Sequence, residues 1–196
     1  MSDFLPDVQV TRKQILLSLA ITVVLTVLAA CLVLFFCQIS IGVYIKDLLS
    51  ALPATAPDAV LIIAFPVLMV GLEWVILRYV PRHYWFEPIN NQLAQKFNLF
   101  ELTAIFAIGA ISEEFLFRGV LQNTFGFWIA TLLFVLIHTR YLKRVLLLAV
   151  SLVLGCGLGL VYLVSGNLWV VILCHFLLNM GVIMILKRRI LKKVEK

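Results

Sequence analysis

Six side chains capable of acid–base or metal chemistry stand out because they lie within strongly apolar stretches of the chain. In order, they are Glu113, Glu114, Arg118, His138, His175 and Asn179. A charged residue at the centre of a bilayer costs about 2.5–3.5 kcal/mol, whereas an apolar neighbour returns only about 0.3–0.6 kcal/mol. These groups are therefore expected to face the interior of a helix bundle, where they can act together.

Helical spacing gives the two adjacent glutamates different surroundings. Glu114 and Arg118 are four residues apart, so they share a helix face and can form an ion pair. Glu113 points about 100° away from Glu114 and stays outside that pair. A poorly solvated carboxylate holds a proton more readily, which suits a general base near neutral pH. Glu113 is the predicted base; the alternative is a structural ion-pair cluster.

The two histidines extend the set to a predicted hydrolytic site. His175 and Asn179 are four residues apart, so the amide can orient the ring and fix its tautomer; His138 follows Phe134 by the same spacing. A carboxylate and two histidines either hold Zn²⁺ with an open position for water or activate water directly. The residues leave both routes open, with Glu113, His138 and His175 as the predicted metal ligands. Packing or interfacial roles are the alternatives for the histidines.

The elements that carry these residues are predicted to be membrane helices. The 196-residue chain is 63% hydrophobic and 13% charged, with a mean hydropathy of +1.10, which argues against a soluble enzyme, a disordered chain or a nucleic-acid binder. About 20 apolar residues are enough to cross a bilayer. Six spans are predicted, at 14–36, 60–80, 102–121, 125–139, 145–164 and 168–186. The predicted fold class is all-α, a polytopic membrane helix bundle with short interfacial helices.

Three regions follow from this pattern. Residues 1–100 form a two-helix membrane region with interfacial segments, 101–186 form the catalytic helical core, and 187–196 form a basic tail. With six spans, fourteen of the sixteen lysines and arginines lie on one side of the membrane and only Lys46 on the other. The positive-inside rule then places both termini in the cytoplasm. The partner of these cations is the lipid bilayer rather than nucleic acid.

The predicted interfacial segments are 41–52 and 84–100. In the second, one face of a short helix is predicted to carry Ile89, Leu93, Phe97 and Phe100. The preceding Tyr84-Trp85-Phe86 is interpreted either as an aromatic anchor at the membrane interface or as a lip beside a substrate entrance.

Two other features of the spans are interpreted as structural. Gly155, Gly157 and Gly159 are spaced for close helix packing, and no strand precedes them as a phosphate loop would require. Glu73 adds a buried acid to the second span, and Arg78 lies near enough in sequence for a local ion pair.

Three motifs, taken in order, resemble those of the CPBP family, the CAAX proteases and bacteriocin-processing enzymes also called the Abi family. They are Glu113-Glu114-x-x-x-Arg118, Phe134-x-x-x-His138 and His175-x-x-x-Asn179, with a typical Gly166-Asn167-Leu168-Trp169 turn before the last. The resemblance covers about 102–182 and implies an intramembrane endopeptidase whose site opens to the cytoplasmic side. The small size and basic tail are similar to bacterial members, so the expected location is a bacterial plasma membrane.

The resemblance also implies a role for each motif residue. Glu113 would activate the water, supported by Glu114 and Arg118. The histidines would bind a metal or the oxyanion, the asparagine would assist its histidine, and Phe134 would pack the site. The predicted function is hydrolysis of peptide bonds in membrane-associated peptides or proteins, with or without Zn²⁺. The alternatives are an inactive scaffold or immunity-type protein and an ion-coupled transporter.

Overall fold

The computed structural model of the chain describes residues 10–40, 42, 55–138, 141 and 144–194, with the backbone alone for the last four. Its regular elements within these residues are helical, which confirms the predicted all-α bundle. In chain order they are α1 (Arg12–Phe36), α2 (Ala56–Tyr79), α3 (Arg82–Trp85), α4 (Pro88–Lys96), α5 (Leu99–Glu114), a π-helix (Phe115–Gln122), α6 (Asn123–Phe125), α7 (Phe127–Ile137), α8 (Val145–Ser165) and α9 (Leu168–Val194).

Local sequence signals explain where these helices begin and end. Thr11, Thr55 and Asn98 each cap a helix by accepting a hydrogen bond from the amide of the third helical residue, whose side chain accepts one in return. Such a capping box satisfies two amides that would otherwise lack partners. Gly126 (φ +86°) separates α6 from α7, and Gly166 (φ +58°) ends α8. Both have backbone conformations that favour glycine.

Four helices are long and apolar enough to cross a membrane. They are Arg12–Phe36, Ala56–Tyr79, Val145–Ser165 and Leu168–Ile190, which correspond to the first, second, fifth and sixth predicted spans. Large apolar side chains along them are exposed, including Phe36 at 76% and Val145 at 83%. Extended apolar surfaces of this kind are covered by lipid in a membrane protein. The helices and their surfaces are those of an integral membrane protein.

The third and fourth predicted spans differ from simple α-helices. α5, the π-helix and α6 follow one another without interruption from Leu99 to Phe125, so the third span changes its hydrogen-bonding pattern at Phe115. α7 has only 11 residues. At about 1.5 Å per residue it is about 16 Å long, whereas the hydrocarbon core is about 30 Å thick. Within the described residues, the predicted span 125–139 is therefore corrected to a short apolar helix.

α9 is the central helix of the bundle. It packs most extensively against α2 and then against α5, and it also contacts α4, α8 and the π-helix. Val170, Val171 and Cys174 on α9 are completely buried. α7 packs against both α8 and the π-helix. This arrangement brings together the three elements that carry the predicted motifs.

α2 and α9 run parallel and in close contact. The Cys174 thiol donates a hydrogen bond to the Leu61 carbonyl at 3.5 Å, and further along both helices Gly181 lies against Val70. A Cβ atom at Gly181 would be 2.6 Å from Val70 Cγ2, which is far inside van der Waals contact. Glycine at this position therefore permits the close approach.

The glycines of α8 serve helix packing, as predicted. Cβ atoms at Gly155, Gly157 and Gly159 would lie 3.0, 2.6 and 2.7 Å from the nearest phenylalanine ring atom. The absence of side chains lets aromatic rings from α2 and α7 lie against the α8 backbone.

The predicted apolar face near 84–100 is correct for three of its four residues. Leu93 and Phe97 are buried in a core cluster, and Ile89 packs against it. Phe100 was assigned wrongly: it is 83% exposed, because α4 ends at Lys96 and α5 begins at Leu99. Apart from Gly42, the other predicted interfacial segment, 41–52, lies outside the described residues.

Candidate active site

The predicted ion pair between Glu114 and Arg118 is present and completely buried. The two side chains are joined at 3.0–3.1 Å, and the residues are 0% and 1% exposed, respectively. A second guanidinium nitrogen donates to the Gly155 carbonyl at 2.9 Å. Arg118 therefore neutralises Glu114 and also ties the π-helix to α8, which satisfies a charge that would be costly to bury alone.

His175 extends this pair into a chain of three side chains. Its Nδ1 donates a hydrogen bond to Glu114 Oε1 at 2.6 Å, and the residue is almost completely buried. The spacing on α9 predicted that Asn179 orients this ring, whereas the partner found among the described residues is Glu114. A carboxylate at Nδ1 fixes the tautomer, so that Nε2 remains for a ligand or substrate.

His138 is oriented by backbone. It is the residue at which α7 ends, and its Nδ1 lies 2.7 Å from the Phe134 carbonyl. A carbonyl oxygen only accepts, so Nδ1 carries the proton and Nε2 is again the remaining ring nitrogen. The Tyr141 ring stacks on His138 at a centroid distance of 5.5 Å. In both predicted histidines, Nδ1 is thus hydrogen-bonded within the protein and Nε2 is available for a ligand or substrate.

Phe134 connects these groups. Its ring centroid lies 4.8 Å from that of His138 and 6.3 Å from that of His175, and the Arg118 guanidinium carbon lies 4.6 Å from it. Phe134 is itself buried and meets Phe117 edge to face. One aromatic ring therefore sets the spacing between the buried arginine and the two imidazoles.

Both histidines line a cavity of about 160 Å³ that Asn179 also borders. Residues of α9 from His175 to Leu186 contribute to its wall, which corresponds to a length of about 16 Å at about 1.5 Å per residue. Much of the remaining wall is apolar, including Ile76, Leu77, Leu147, Val150, Leu154, Leu158, Leu178, Val182 and Ile183. An elongated apolar cavity with a few converging polar groups is typical of a substrate site.

Glu113 lies beside the buried chain rather than on the cavity wall. It is half-buried on α5, in contrast to the complete burial of Glu114, and it interacts electrostatically with Arg118 and His175. It is not among the described residues that border the cavity. The two glutamates thus have the different environments that their spacing predicted.

Two of the three predicted zinc ligands, His138 and His175, each have a ring nitrogen available for a metal. The free Nε2 atoms of His138 and His175 are the donor type that Zn²⁺ prefers, and both residues border one cavity. Across the described part of the chain, no three His, Cys, Asp or Glu side chains are grouped as a metal site would require. The ligand set of Glu113, His138 and His175 stays a prediction.

Sequence reasoning missed Glu73 as part of this site. Glu73 lines the cavity together with Ile76 and Leu77 of the same helix face. Arg78 does not pair with it; instead its guanidinium carbon lies 5.7 Å from the Tyr79 ring centroid. Residues five apart are about 140° apart around a helix, so the interval from Glu73 to Arg78 itself argued against an ion pair.

The segment before α4 forms part of the cavity wall. Trp85 and Phe86 border the cavity, and the Trp85 indole is held by a 2.9 Å hydrogen bond to the Val80 carbonyl. Tyr84 is half exposed. Trp85 and Phe86 thus contribute to the cavity wall while Tyr84 faces outward, and both interpretations of this aromatic segment stay predictions.

Comparison with known proteins agrees with the motifs. Residues 95–181 match the family described as Type II CAAX prenyl endopeptidase Rce1-like. The chain is also 31% identical over 118 residues to the uncharacterized protein YpbD of Bacillus subtilis (strain 168), an alignment that covers 60% of this chain. It spans 62% of the length of that relative. No solved structure matches the chain.

The family match confirms the resemblance to the CPBP family and includes every residue of the three motifs. Over this segment the chain is similar to the Rce1-like type II CAAX prenyl endopeptidases. The matched segment begins at residue 95, in the last turn of α4, so it includes neither Glu73 nor Trp85 and Phe86.

Proposed function

We propose that this protein is an intramembrane endopeptidase that hydrolyses peptide bonds of membrane-associated peptides or proteins in the cavity between α2, α7, α8 and α9. The observation that supports this most directly is the buried chain from Arg118 through Glu114 to His175. Paired ionisable groups inside a membrane protein are costly and mark functional sites. Here they orient an imidazole at the edge of an elongated cavity.

The proposed chemistry divides the work between Glu113 and the histidines. Glu113 accepts a proton from a water molecule as its oxygen attacks the carbonyl carbon of the substrate. His175 and His138, each with both ring nitrogens protonated, donate from Nε2 to the developing oxyanion, and Glu114 stabilises the charge on His175. The carbon–nitrogen bond then breaks, and the proton taken from water passes to the leaving amine.

Zinc is a separate part of the proposal. Glu113, His138 and His175 would hold the ion, which would polarise the water and the carbonyl as a Lewis acid. Metal analysis of the purified active protein tests this. Activity that persists with well under one equivalent of metal and with a strong chelator supports hydrolysis by the glutamate-activated water alone.

We propose a bacterial plasma membrane as the location, with both termini and the mouth of the cavity on the cytoplasmic side. The support is the uneven distribution of lysine and arginine. An inactive scaffold would keep the buried chain without cleaving peptides, and an ion-coupled transporter would move a cation without hydrolysis.

Cleavage of a defined peptide tests the proposal. The full chain, reconstituted in liposomes, is incubated with a prenylated peptide that ends in a C-a-a-X sequence, and products are identified by mass spectrometry. We expect Glu113→Gln to cleave at least about 100-fold more slowly, because a positioned general base contributes about 10²–10⁴-fold. Glu101→Gln, which changes a partly exposed glutamate outside the cavity, is the matched control and is expected to keep the wild-type rate.

A second experiment does not depend on the choice of a peptide that the protein accepts as substrate. Membrane peptides are compared between cells that produce the wild-type protein and cells that produce Glu113→Gln. Products that depend on Glu113 support the peptidase. No cleavage of the probe and identical peptide sets would favour the scaffold.

A further inference from the structure

Glu73 is the carboxylate in the cavity that the proposed chemistry does not use. Two described glutamates border the cavity, Glu73 and Glu87, and no described lysine or arginine does. Glu87 is engaged, since its side chain accepts a 2.7 Å hydrogen bond from the Asn90 amide at the start of α4. For Glu73, the described residues supply neither an ion pair nor a hydrogen bond to the side chain. Within the part of the chain that the structure describes, Glu73 is therefore an acid on the cavity wall without a partner.

The position of Glu73 along the cavity follows from the parallel packing of α2 and α9. Leu61 is level with Cys174, and Val70 is level with Gly181. Continuing this register places Glu73 about 13 Å beyond His175 along the helix axes, at about 1.5 Å per residue. On this register Glu73 is too far along the helices from His175 for the two side chains to act at the same peptide bond. It lies nearer the end of the cavity at which Leu186 and Trp85 contribute to the wall.

The surroundings of Glu73 suit a long basic side chain. Ile76 and Leu77 lie on the same face of α2, and Val182 and Ile183 of α9 border the same cavity. Lysine and arginine combine an apolar stem with a cationic head, so such a side chain can lie along an apolar wall and place its charge at a carboxylate. An extended peptide advances about 3.3 Å per residue, so 13 Å corresponds to about four residues.

We infer that Glu73 is the anionic end of a substrate subsite that takes a lysine or arginine side chain of the peptide, within about four residues of the bond that is cleaved. This inference rests on the proposed peptidase function. Glu73 is assigned to substrate selection and not to the hydrolytic step.

Equilibrium binding of designed peptides tests this subsite without relying on cleavage. The full chain carrying Glu113→Gln is placed in lipid nanodiscs and titrated with the prenylated C-a-a-X peptide carrying a fluorescent label. A single lysine is moved through the positions upstream and downstream of the cysteine, and each lysine is compared with norleucine and with glutamate. We expect one position at which lysine binds about tenfold or more tightly than norleucine, as a charge-assisted hydrogen bond would provide.

Substitution of Glu73 decides the assignment. Glu73→Gln is expected to abolish the preference for lysine, Glu73→Lys to prefer the glutamate peptide, and Glu101→Gln to bind like the parent. A melting curve for each variant confirms folding. A preference for lysine that survives in Glu73→Gln, or that is missing in the parent at every position, overturns the subsite.

Cleavage by otherwise wild-type protein is followed with the same peptides so that the two proposals fail separately. Cleavage without any preference for lysine overturns the subsite and leaves the peptidase standing. A Glu73-dependent preference without cleavage supports the subsite and counts against the peptidase.

Discussion

Glu114 is the residue on which the buried polar groups depend, because its carboxylate accepts hydrogen bonds from both Arg118 and His175. An ion pair in a dry interior contributes little net stability over an apolar core, but removal of one partner leaves the other charge uncompensated. The same carboxylate also fixes which nitrogen of His175 faces the cavity. Under the proposed function, a substitution of Glu114 therefore affects both the stability of the fold and the hydrolytic chemistry. A substitution of Glu113 affects the chemistry alone.

Arg118→Ala is predicted to destabilise the fold by about 3–5 kcal/mol, because it strands the buried Glu114 carboxylate. Arg188→Ala, which removes an exposed arginine near the end of α9, is the control and is expected to change stability by less than about 0.5 kcal/mol. Unfolding in detergent micelles measures both. Equal stability of the two variants would show that Arg118 does not neutralise a buried charge.

His175→Ala and Asn179→Ala are predicted to differ in their effect on hydrolysis. In the proposed mechanism His175 presents the ring nitrogen that acts on substrate, so its loss is expected to cost at least about 100-fold in rate. Asn179 borders the cavity without carrying the ring's orientation, which Glu114 provides, so its loss is expected to cost about tenfold or less. Rates of peptide cleavage by purified variants provide the comparison. A loss of rate in Asn179→Ala as large as that in His175→Ala would indicate that Asn179, as the sequence spacing predicted, orients the His175 ring.

At the scale of elements, the π-helix is the feature that spacing alone did not reveal. Arg118 donates to the carbonyl of Gly155, and one turn later Gln122 donates to the carbonyl of Gly159. These bonds join the π-helix to α8 at matching intervals of four residues. Bonds to a neighbouring helix cannot be predicted from the sequence of residues 115–122 alone. In contrast, the four-residue spacing of Glu114 and Arg118 correctly predicted that these two side chains pair. π-Helical turns occur frequently at functional sites.

Gly181→Ala is predicted to push α2 and α9 apart. The new methyl would lie 2.6 Å from Val70 Cγ2 and 3.2 Å from Cγ1, and a β-branched side chain on a helix has little freedom to move. Overpacking of this kind costs about 1–3 kcal/mol.

Gly109→Ala is the matched control for this substitution. A Cβ atom at Gly109 would meet nothing within 4 Å, so this change is expected to be neutral or to stabilise α5 by up to about 1 kcal/mol. Unfolding measurements on the two variants compare them. A melting temperature that Gly181→Ala leaves unchanged would contradict the close contact and the register of α2 against α9.

At the scale of the whole molecule, the lengths of the apolar runs predicted the bounds of the long helices well, but they did not predict which residues line the cavity. α1, α2 and α8 begin and end within a few residues of the predicted spans, because about 20 apolar residues leave little choice in a bilayer. α7 is shorter than the predicted span 125–139 by two residues at each end, since it begins after Gly126 and polar residues follow Ile137. The cavity depends on which faces of α2, α8 and α9 meet. Those faces are set by contacts between residues far apart in the sequence, which run lengths do not reveal.

The membrane orientation is predicted to place both termini in the cytoplasm. With α1, α2, α8 and α9 as the spans, Lys46 lies on one side of the membrane and the other lysines and arginines on the opposite side, which the positive-inside rule assigns to the cytoplasm. Fluorescent-protein fusions after Lys196 should fluoresce, whereas a periplasmic reporter at the same point should stay inactive. The reverse result would also move the mouth of the cavity to the outer face.

α2 contributes to the cavity wall from outside the segment that matches the protease family. Under the two proposals, hydrolysis and selectivity are encoded in separate stretches of the chain. Under the proposed function, changes on α2 can redirect the enzyme to new peptides while the three motifs stay intact. A chimaera that exchanges only this helix between relatives should carry over the donor's choice of substrate and keep the recipient's chemistry.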